Sequence, residues 1–235
     1  MANPDPWLFF DKIYCISIAE RTDRRAEAKR QFAKVGLEER VEFVMVRKHP
    51  FNQEQGIYES HLLCLRRALE AGAAHILILE DDILFNGFRP EALRGALAGL
   101  AGAKGWDLFF LGCLVSRSQK TENPNLLRIR YSALTHAYGI NRAFAETVLK
   151  TPWADIPYDL FLRRAPQKAY ALYPAFAFQS NARTDNRLLF LERFRRVCGG
   201  LAWIQKNNER YHRHKFTLIM AHLVAVGVLL LLAWR

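Results

Sequence analysis

Residues 75–85, HILILEDDILF, place three consecutive carboxylates directly after an apolar run. The run HILIL is built from leucine and β-branched side chains and has no alternating polar face. It therefore predicts a strand that is buried on both faces, as in parallel sheets. Ligands of open α/β sheets bind beyond the carboxyl ends of the strands. The sequence thus predicts a ligand site at Glu80, Asp81 and Asp82.

The segments before and after this strand alternate between strand and helix patterns. Helix 1 is expected to begin with Thr22 or Asp23 as N-cap and to end at Gly36, and helix 2 is expected to be closed by Gly72. Pro90 suits the first turn of a third helix. The predicted elements are strands at 12–18, 41–46, 75–79 and 107–112, and helices at 22–35, 54–71 and from 90. This order predicts an α/β fold with a mostly parallel central sheet flanked by helices.

The second half of the chain is less regular. The runs LLRIRYS, at 126–132, and THAYGI, at 135–140, are expected to pair as edge strands. A helix from Arg142 to Lys150 follows, and Pro152 is expected to end it.

Composition and cysteine spacing indicate one folded domain. The chain has 235 residues, of which 51% are hydrophobic and 24% charged, enough for one sizeable core. Its four cysteines are widely spaced without a CxxC pair, so neither a zinc knuckle nor a disulfide framework is predicted. The first residues lack the pattern of a secretory signal, so we expect the domain, residues 1–185, on the cytoplasmic side.

The C-terminal part suggests a membrane anchor. Residues 216–234 contain 19 positions without a formal charge, close to the roughly 20 that span a bilayer. A buried core helix is the alternative, although this run is apolar all round. The segment 186–215 before it is expected to be a basic juxtamembrane region on the cytoplasmic side, or else a solvated basic helix face. Residues 181–215 hold nine Lys or Arg against three Asp or Glu, so the net charge of +11 needs no nucleic-acid partner, and no nucleic-acid motif is present.

Three adjacent carboxylates beside an apolar strand require a compensating positive group, because they repel one another and burial disfavours their charge. A divalent cation with oxygen ligands meets that need. In extended backbone Glu80 and Asp82 point to one face and Asp81 to the other. We therefore expect Glu80 and Asp82 to bind the metal, and Glu80 and Asp81 to contact the ligand. A solvated turn is the alternative.

Several blocks of the chain, in order and spacing, resemble glycosyltransferase family 25, which includes bacterial lipopolysaccharide β-glycosyltransferases and a domain of collagen galactosyltransferases. The matching blocks are YCISIAERTDRR at 14–25, EQGIYESHLLCL at 54–65, ILILEDDILF at 76–85, THAYGINRAFAETVL at 135–149, IPYDLFL at 156–162 and YPAFAFQ at 173–179. Two positions depart from the family pattern: Ile57 replaces a cysteine, and Thr184-Asp185 replaces a serine-aspartate pair. The resemblance implies a GT-A-like nucleotide-diphospho-sugar transferase fold.

The resemblance also directs attention to individual residues. Arg21 and Arg24, at the first strand-to-helix turn, are expected to bind the donor diphosphate, whereas Arg25, Lys29 and Arg30 are expected to face solvent. Ser60 and His61 are candidates for donor binding, with packing within the helix as the alternative. Tyr138 and Gln179 match family blocks, with a structural role as the alternative.

Asp159, in IPYDLFL, is the candidate general base for an inverting sugar transfer, an outcome that the resemblance implies. Capping of the helix that begins there is its alternative role.

Together these features predict a membrane-anchored glycosyltransferase that uses Mn²⁺ or Mg²⁺. It would transfer a sugar such as galactose or glucose from a UDP-linked nucleotide-sugar to a lipopolysaccharide or another cell-surface glycan or glycolipid acceptor. The competing hypothesis is a non-catalytic, membrane-tethered protein that binds a nucleotide-sugar or a glycan.

Overall fold

A computed structural model of the chain describes residues 5–180 and 200–234. The strands are β1 (Lys12–Ile18), β2 (Val41–Val46), β3 (His75–Glu80), β4 (Ile83–Phe85), β5 (Leu108–Phe110), β6 (Leu114–Lys120), β7 (Leu126–Ala133), β8 (Ala137–Asn141), β9 (Ala169–Leu172) and β10 (Ala177–Gln179). The α-helices are α1 (Thr22–Val35), α2 (Gln53–Glu70), α3 (Pro90–Ala101), α4 (Arg142–Lys150), α5 (Tyr158–Arg164) and α6 (Gly200–Ala233), and a 3₁₀ turn covers Pro6–Phe9.

Eight strands form the central sheet, in the order β2-β1-β3-β8-β5-β9-β7-β6. The pairs β1–β2, β1–β3 and β5–β9 are parallel, and the other four are antiparallel. Six strands consequently run in one direction, and β7 and β8 run in the other. Helices α2, α4 and α5 cover one face around Tyr138, and α1 and α3 cover the other around Phe109. The predicted α/β class is confirmed.

The expectation that 126–132 and 135–140 pair as edge strands was wrong. β8 lies in the middle of the sheet between β3 and β5, and β7 lies between β9 and β6. Ala137, Tyr138 and Ile140 are fully buried, which requires a covered, central strand. Gly139 contributes to this position, because a Cβ there would lie 2.8 Å from the ring of Phe10.

Most local signals in the first half correspond to the observed element ends. Gly36 ends α1 in the left-handed conformation (φ 72°), Pro90 begins α3, and α4 has the predicted bounds. The N-cap of α1 is Arg21 rather than Thr22 or Asp23, and no side chain caps the helix there. Cys15, Cys64 and Cys113 are buried free thiols, and Cys198 lies outside the described residues.

The C-terminal helix has two different halves. Its first half packs on β6 and β10: Gln205 donates to the carbonyl of Ala177 at 2.8 Å, and Asn208 accepts from the backbone N–H of Val115 at 2.9 Å. Gly112 permits this close approach, because a Cβ there would overlap the carbonyl of Ala177 and the amide of Gln205.

These contacts fall within the segment 186–215 that was expected to be a basic juxtamembrane region. Its residues 200–213 pack on β6 and β10. Residues 181–199, including Thr184 and Asp185, lie outside the described residues. In the second half of α6, residues 216–226 and 228–232 are exposed, and α6 is long and apolar enough to cross a membrane.

Candidate functional site

The acidic residues lie where several chain segments meet. β3 ends at Glu80, and Asp81 and Asp82 form the turn into β4. The parallel neighbour β1 ends beside them, and α1 begins there. Thr135, just before the antiparallel β8, and Gln179, at the end of β10, complete the surroundings. The acidic residues therefore lie beyond the carboxyl end of a central strand, where the sequence predicted a site.

Asp81 faces the end of β1 and the start of α1. Its carboxylate accepts a hydrogen bond from the Ser17 hydroxyl at 2.7 Å, and Arg24 Nη1 lies 3.4 Å away. Both Asp81 and Ser17 are buried, so these contacts replace solvation of the charge.

Asp82 is buried between α1 and β10. Gln179 donates to its Oδ2 at 3.1 Å, Arg24 Nη1 lies 3.7 Å from the same oxygen, and the backbone N–H of Ser180 donates to the Asp82 carbonyl at 2.8 Å. The other carboxylate oxygen, Oδ1, is buried and has no hydrogen-bond partner among residues 5–180 and 200–234. An unsatisfied buried carboxylate oxygen is costly and points to a ligand.

Glu80 faces the other side, towards α2. Its carboxylate accepts from the Thr135 hydroxyl at 3.0 Å, and His61 Nε2 lies 3.8 Å away. The His61 ring stacks on Tyr158 at 4.1 Å, and its Nδ1 lies 3.1 Å from the Tyr138 hydroxyl. The hydroxyls of Tyr138 and Tyr158 are 3.0 Å apart, so the buried side chains of His61, Tyr138 and Tyr158 form a chain of polar contacts beside Glu80.

Burial and mutual repulsion shift the pKa values of the three carboxyl groups. Burial raises the pKa of Glu80 well above its usual value, and the charges of Asp82 and Asp159 raise it further. Burial also raises the pKa of Asp81 and of Asp82, although the nearby Arg24 charge opposes the shift at both. The Arg24 charge therefore offsets only part of the effect of burial at these two carboxylates. Burial lowers the pKa of His61 to about 3, so this ring is neutral near pH 7.

The expected division of the three carboxylates between two faces was wrong in one respect. Asp81 and Asp82 both contact Arg24, whereas Glu80 points towards His61. Side chains alternate only while the backbone is extended, and the strand ends at Glu80.

The arginines of α1 have three different roles. Arg24 contacts the acidic turn. Arg21 forms a bidentate pair with the exposed Asp23, at 2.9 and 2.8 Å. Arg25, expected to face solvent, instead donates to the carbonyls of Ile18 and Ala19 at 2.7 and 2.8 Å, because these groups at the end of β1 need partners. Lys29 and Arg30 are exposed, as expected.

Ser60 and Asp159 are held by internal hydrogen bonds. The Ser60 hydroxyl donates to the Gly56 carbonyl at 2.6 Å within α2. Asp159 does not cap α5. Its two oxygens accept from the Tyr131 hydroxyl at 2.8 Å and from the Leu134 backbone N–H at 3.1 Å. These bonds direct the carboxylate towards β7, on the Glu80 side of the site.

The structure brings together Arg24, His61 and all three carboxylates, and it adds two residues that sequence reasoning did not single out. These are Ser17 and Thr135, and each was visible as a hydroxyl side chain at the end of a predicted strand. Gln179, noted only as a match to a family block, binds Asp82 directly. Among the described residues, no group of three or more His, Cys, Asp or Glu side chains is arranged to hold a metal ion.

Comparison with known proteins agrees with the motif resemblance. The chain is 26% identical over 176 residues to a glycosyltransferase 25 family member from Anopheles gambiae. The resemblance to glycosyltransferase family 25 is confirmed. The match covers 63% of this family 25-like chain but only 30% of the length of that relative. No family model matches the chain.

Solved structures similar to this family 25-like chain have low sequence identity. A197 from STIV has a TM-score of 0.49 at 13% identity, covering 72% of this chain and 84% of that one. A mannose-1-phosphate geranyltransferase from Thermus thermophilus has a TM-score of 0.43 at 14% identity, covering 68% and 73%. A glycosyltransferase involved in glycosylation of the PBCV-1 major capsid has a TM-score of 0.40 at 13% identity, covering 68% and 80%.

Proposed function

We propose that the chain is a membrane-anchored glycosyltransferase with a GT-A-like fold that transfers a hexose from a UDP-sugar to a cell-surface glycan acceptor such as lipopolysaccharide. The observation that carries this proposal is the buried acidic turn at the end of β3. Arg24 contacts this turn, and one oxygen of Asp82 has no hydrogen-bond partner among the residues that the structure describes. The resemblance to family 25 supports the reaction class. Galactose and glucose are the proposed sugars.

The acidic turn suits a divalent cation that is shared with a nucleotide diphosphate. Mg²⁺ is commonly bound through one or two carboxylates plus substrate phosphates, so no cage of three protein ligands is required. Asp82 Oδ1 is buried and has no hydrogen-bond partner in the described part of the chain, and the Glu80 carboxylate repels Asp82, so both would gain from Mn²⁺ or Mg²⁺. The bound cation would supply charge stabilisation for the departing diphosphate.

The protein's own residues would bind the donor and activate the acceptor. Arg24 and Arg21, at the start of α1, would contact the diphosphate. Asp81, which accepts a hydrogen bond from Ser17, would hold Arg24 in place. The acceptor hydroxyl oxygen would attack the anomeric carbon and form the new C–O bond. The bond to the UDP oxygen breaks, UDP leaves with that electron pair, and Asp159 takes the acceptor proton. Attack opposite the leaving group inverts the anomeric centre.

A direct assay separates this function from nucleotide-sugar binding without catalysis. The full chain in vesicles is incubated with radiolabelled UDP-galactose or UDP-glucose and the lipid extract of its source cells, with Mn²⁺ or with EDTA. We expect UDP release and label in the lipid fraction with Mn²⁺ only. UDP binding by calorimetry without release of either sugar would instead support the binding protein.

We propose that the domain lies on the cytoplasmic face of the membrane. Basic residues before the apolar half, among them Arg210, Arg213 and Lys215, favour that side of a membrane. Protease added to intact cells should leave the domain uncut, whereas the same protease should cut it after permeabilisation. Cleavage in intact cells would place the domain outside.

A further inference from the structure

Three arginines share one exposed face of the last two strands of the central sheet. In the β6–β7 pair, Arg117 lies directly opposite Arg130, and Gln119 lies opposite Arg128. All four residues are exposed. Because opposed residues and residues two apart on a strand point to the same side, these four form one surface, which we call the arginine face. Like charges directly opposite each other across two strands are destabilising, so a compensating anion would stabilise this surface.

The docked half of α6, residues 200–213, lies on the other side of β6. The Ser118 hydroxyl donates to the His212 carbonyl at 3.2 Å, so the Ser118 side chain points towards α6. Arg117 and Gln119 are its neighbours on the strand, and successive side chains of a strand point to opposite faces. The arginine face therefore points away from α6.

Acidic side chains do not compensate the charge of this face. The three arginines form no ion pair within the part of the chain that the structure describes. Residues 114–133, which form the β6–β7 hairpin, contain these arginines and Lys120 against a single acidic residue, Glu122, in the connection between the strands. Exposed guanidinium groups without acidic partners attract anions, and arginine binds phosphate groups through paired N–H donors.

Protection of the sheet edge explains only part of this pattern. Charged side chains on an edge strand hinder pairing with another sheet, and β6 is an edge strand. Arg128 and Arg130, however, lie on β7, which is paired on both sides, with β6 and with β9. Edge protection also works with charges of either sign, whereas the charges of this face are all positive. The pattern therefore favours an anionic partner.

The contacts between β6 and α6 indicate which anionic partner lies nearby. From Val115 to Ser118 along β6, the contact on α6 moves from Asn208 to His212, towards the apolar half that begins at Phe216. The helix extends only about 6 Å from His212 to Phe216. With α6 across a membrane, β6 would therefore lie close to the lipid headgroups, since about 8 Å is the screening length at physiological ionic strength. Anionic lipids of the cytoplasmic leaflet attract basic segments at this level.

We propose that the arginine face binds anionic phospholipid headgroups and gives the domain a second membrane contact besides α6. This inference rests on the proposed membrane anchor. Single spans tilt by up to about 40°, and a tilt towards the arginine face brings it to the lipid surface. One helix alone leaves the tilt of the domain free, whereas a contact on the far side of the sheet restrains it.

Hydrogen exchange of the full chain in lipid nanodiscs tests this inference. The discs contain either phosphatidylcholine alone or phosphatidylcholine with about 30% phosphatidylglycerol, an anionic lipid. The test variant is Arg128→Gln/Arg130→Gln. Its matched control is Arg163→Gln/Arg164→Gln, which removes the same charge from two exposed residues of α5. Mass spectrometry follows backbone exchange in residues 114–133, and co-elution with the discs in high salt checks the span.

We expect residues 114–133 of the parent and of the control to exchange about threefold or more slowly in anionic discs than in phosphatidylcholine discs, and high salt to remove this protection. The test variant should exchange like the parent in phosphatidylcholine discs, which shows an intact fold, and should gain no protection in anionic discs.

Equal exchange of the parent in the two kinds of disc would overturn the inference, as would equal protection of parent and test variant or an equal loss in the control. Protection by an added RNA oligonucleotide but not by anionic discs would assign the face to nucleic acid and overturn it as well. Release of the parent from the discs by high salt would reject the anchor and this inference together. Absence of UDP release in the same discs would reject the proposed sugar transfer but not the lipid contact.

Discussion

Arg24 contacts the Asp81 carboxylate at 3.4 Å across 57 residues of sequence, and the same guanidinium nitrogen lies 3.7 Å from Asp82. The positive group that three adjacent carboxylates require is thus supplied in part by the first helix. Burial raises the pKa of Glu80 well above its usual value, and the charge of Asp82 raises it further, so repulsion within the cluster remains.

The first prediction concerns Asp82→Asn. The amide keeps the size of the side chain but removes one negative charge, so the fold should survive and the variant should be at least as stable as wild type without metal. If Asp82 binds the cation, turnover should fall roughly 100-fold or more, and most of the thermal stabilisation by Mn²⁺ plus UDP should disappear.

Asp155→Asn is the matched control for this experiment, because Asp155 is exposed and its left-handed backbone (φ 55°) suits asparagine. Turnover and the Mn²⁺–UDP thermal shift of this control should equal those of wild type. Wild-type turnover and thermal shift in Asp82→Asn would exclude the cation site.

The second prediction concerns pH. His61 stays neutral in the folded protein down to about pH 3, but in the unfolded chain it binds a proton below its ordinary pKa of 6.5. Protons at this residue therefore favour the unfolded state, and the contribution of His61 to the free energy of unfolding should decrease by roughly 1.4 kcal/mol per pH unit as pH drops from 6.5 towards 4.

His61→Gln cannot titrate, yet its amide can still bond the Tyr138 hydroxyl. Urea unfolding at pH 4 to 8 should show that wild type loses more stability than this variant on acidification. Parallel curves for the two proteins would mean that His61 is already protonated in the folded state.

The third prediction concerns Gly112→Ala. The added methyl group would overlap a backbone carbonyl, at Ala177, and the Gln205 amide, so β10 or α6 must shift. We expect a loss of about 1–3 kcal/mol or more in urea unfolding. In Gly95→Ala, within α3, the nearest atom would lie at 3.6 Å, and helix propensity should raise stability by up to about 1 kcal/mol. Equal stability of the two variants would contradict the close approach.

The fourth prediction concerns the two halves of α6. A chain ending at Arg213 keeps the contacts of Gln205, Asn208 and Glu209, so it should be soluble and as stable as the domain in the full chain. The full chain should stay with membranes in high salt, which removes proteins held only by charge.

A chain ending at residue 199 tests the docked half of α6 separately. It should be less stable to urea than the chain ending at Arg213, because the contacts of α6 with β6 and β10 are lost. Equal urea midpoints would show that α6 does not stabilise the domain, and a full chain released by high salt would argue against the span.

The sequence by itself determined the features that depend on neighbouring residues. The turns of α1 and α3 at Gly36 and Pro90, the buried strand that ends in carboxylates, and the apolar half of α6 all follow from local periodicity and backbone preference. Such signals need no knowledge of the rest of the chain.

The tertiary structure alone decided which distant groups meet. No local signal predicts the contact between Asp82 and Gln179, which are 97 positions apart. The same holds for the insertion of β8 between β3 and β5 and for the docking of Gln205 over Gly112. Strand order and helix docking depend on which apolar faces can be covered together, and this is settled only when the whole core packs. The acidic turn therefore acquires Arg24 and Gln179 as partners only in the folded chain.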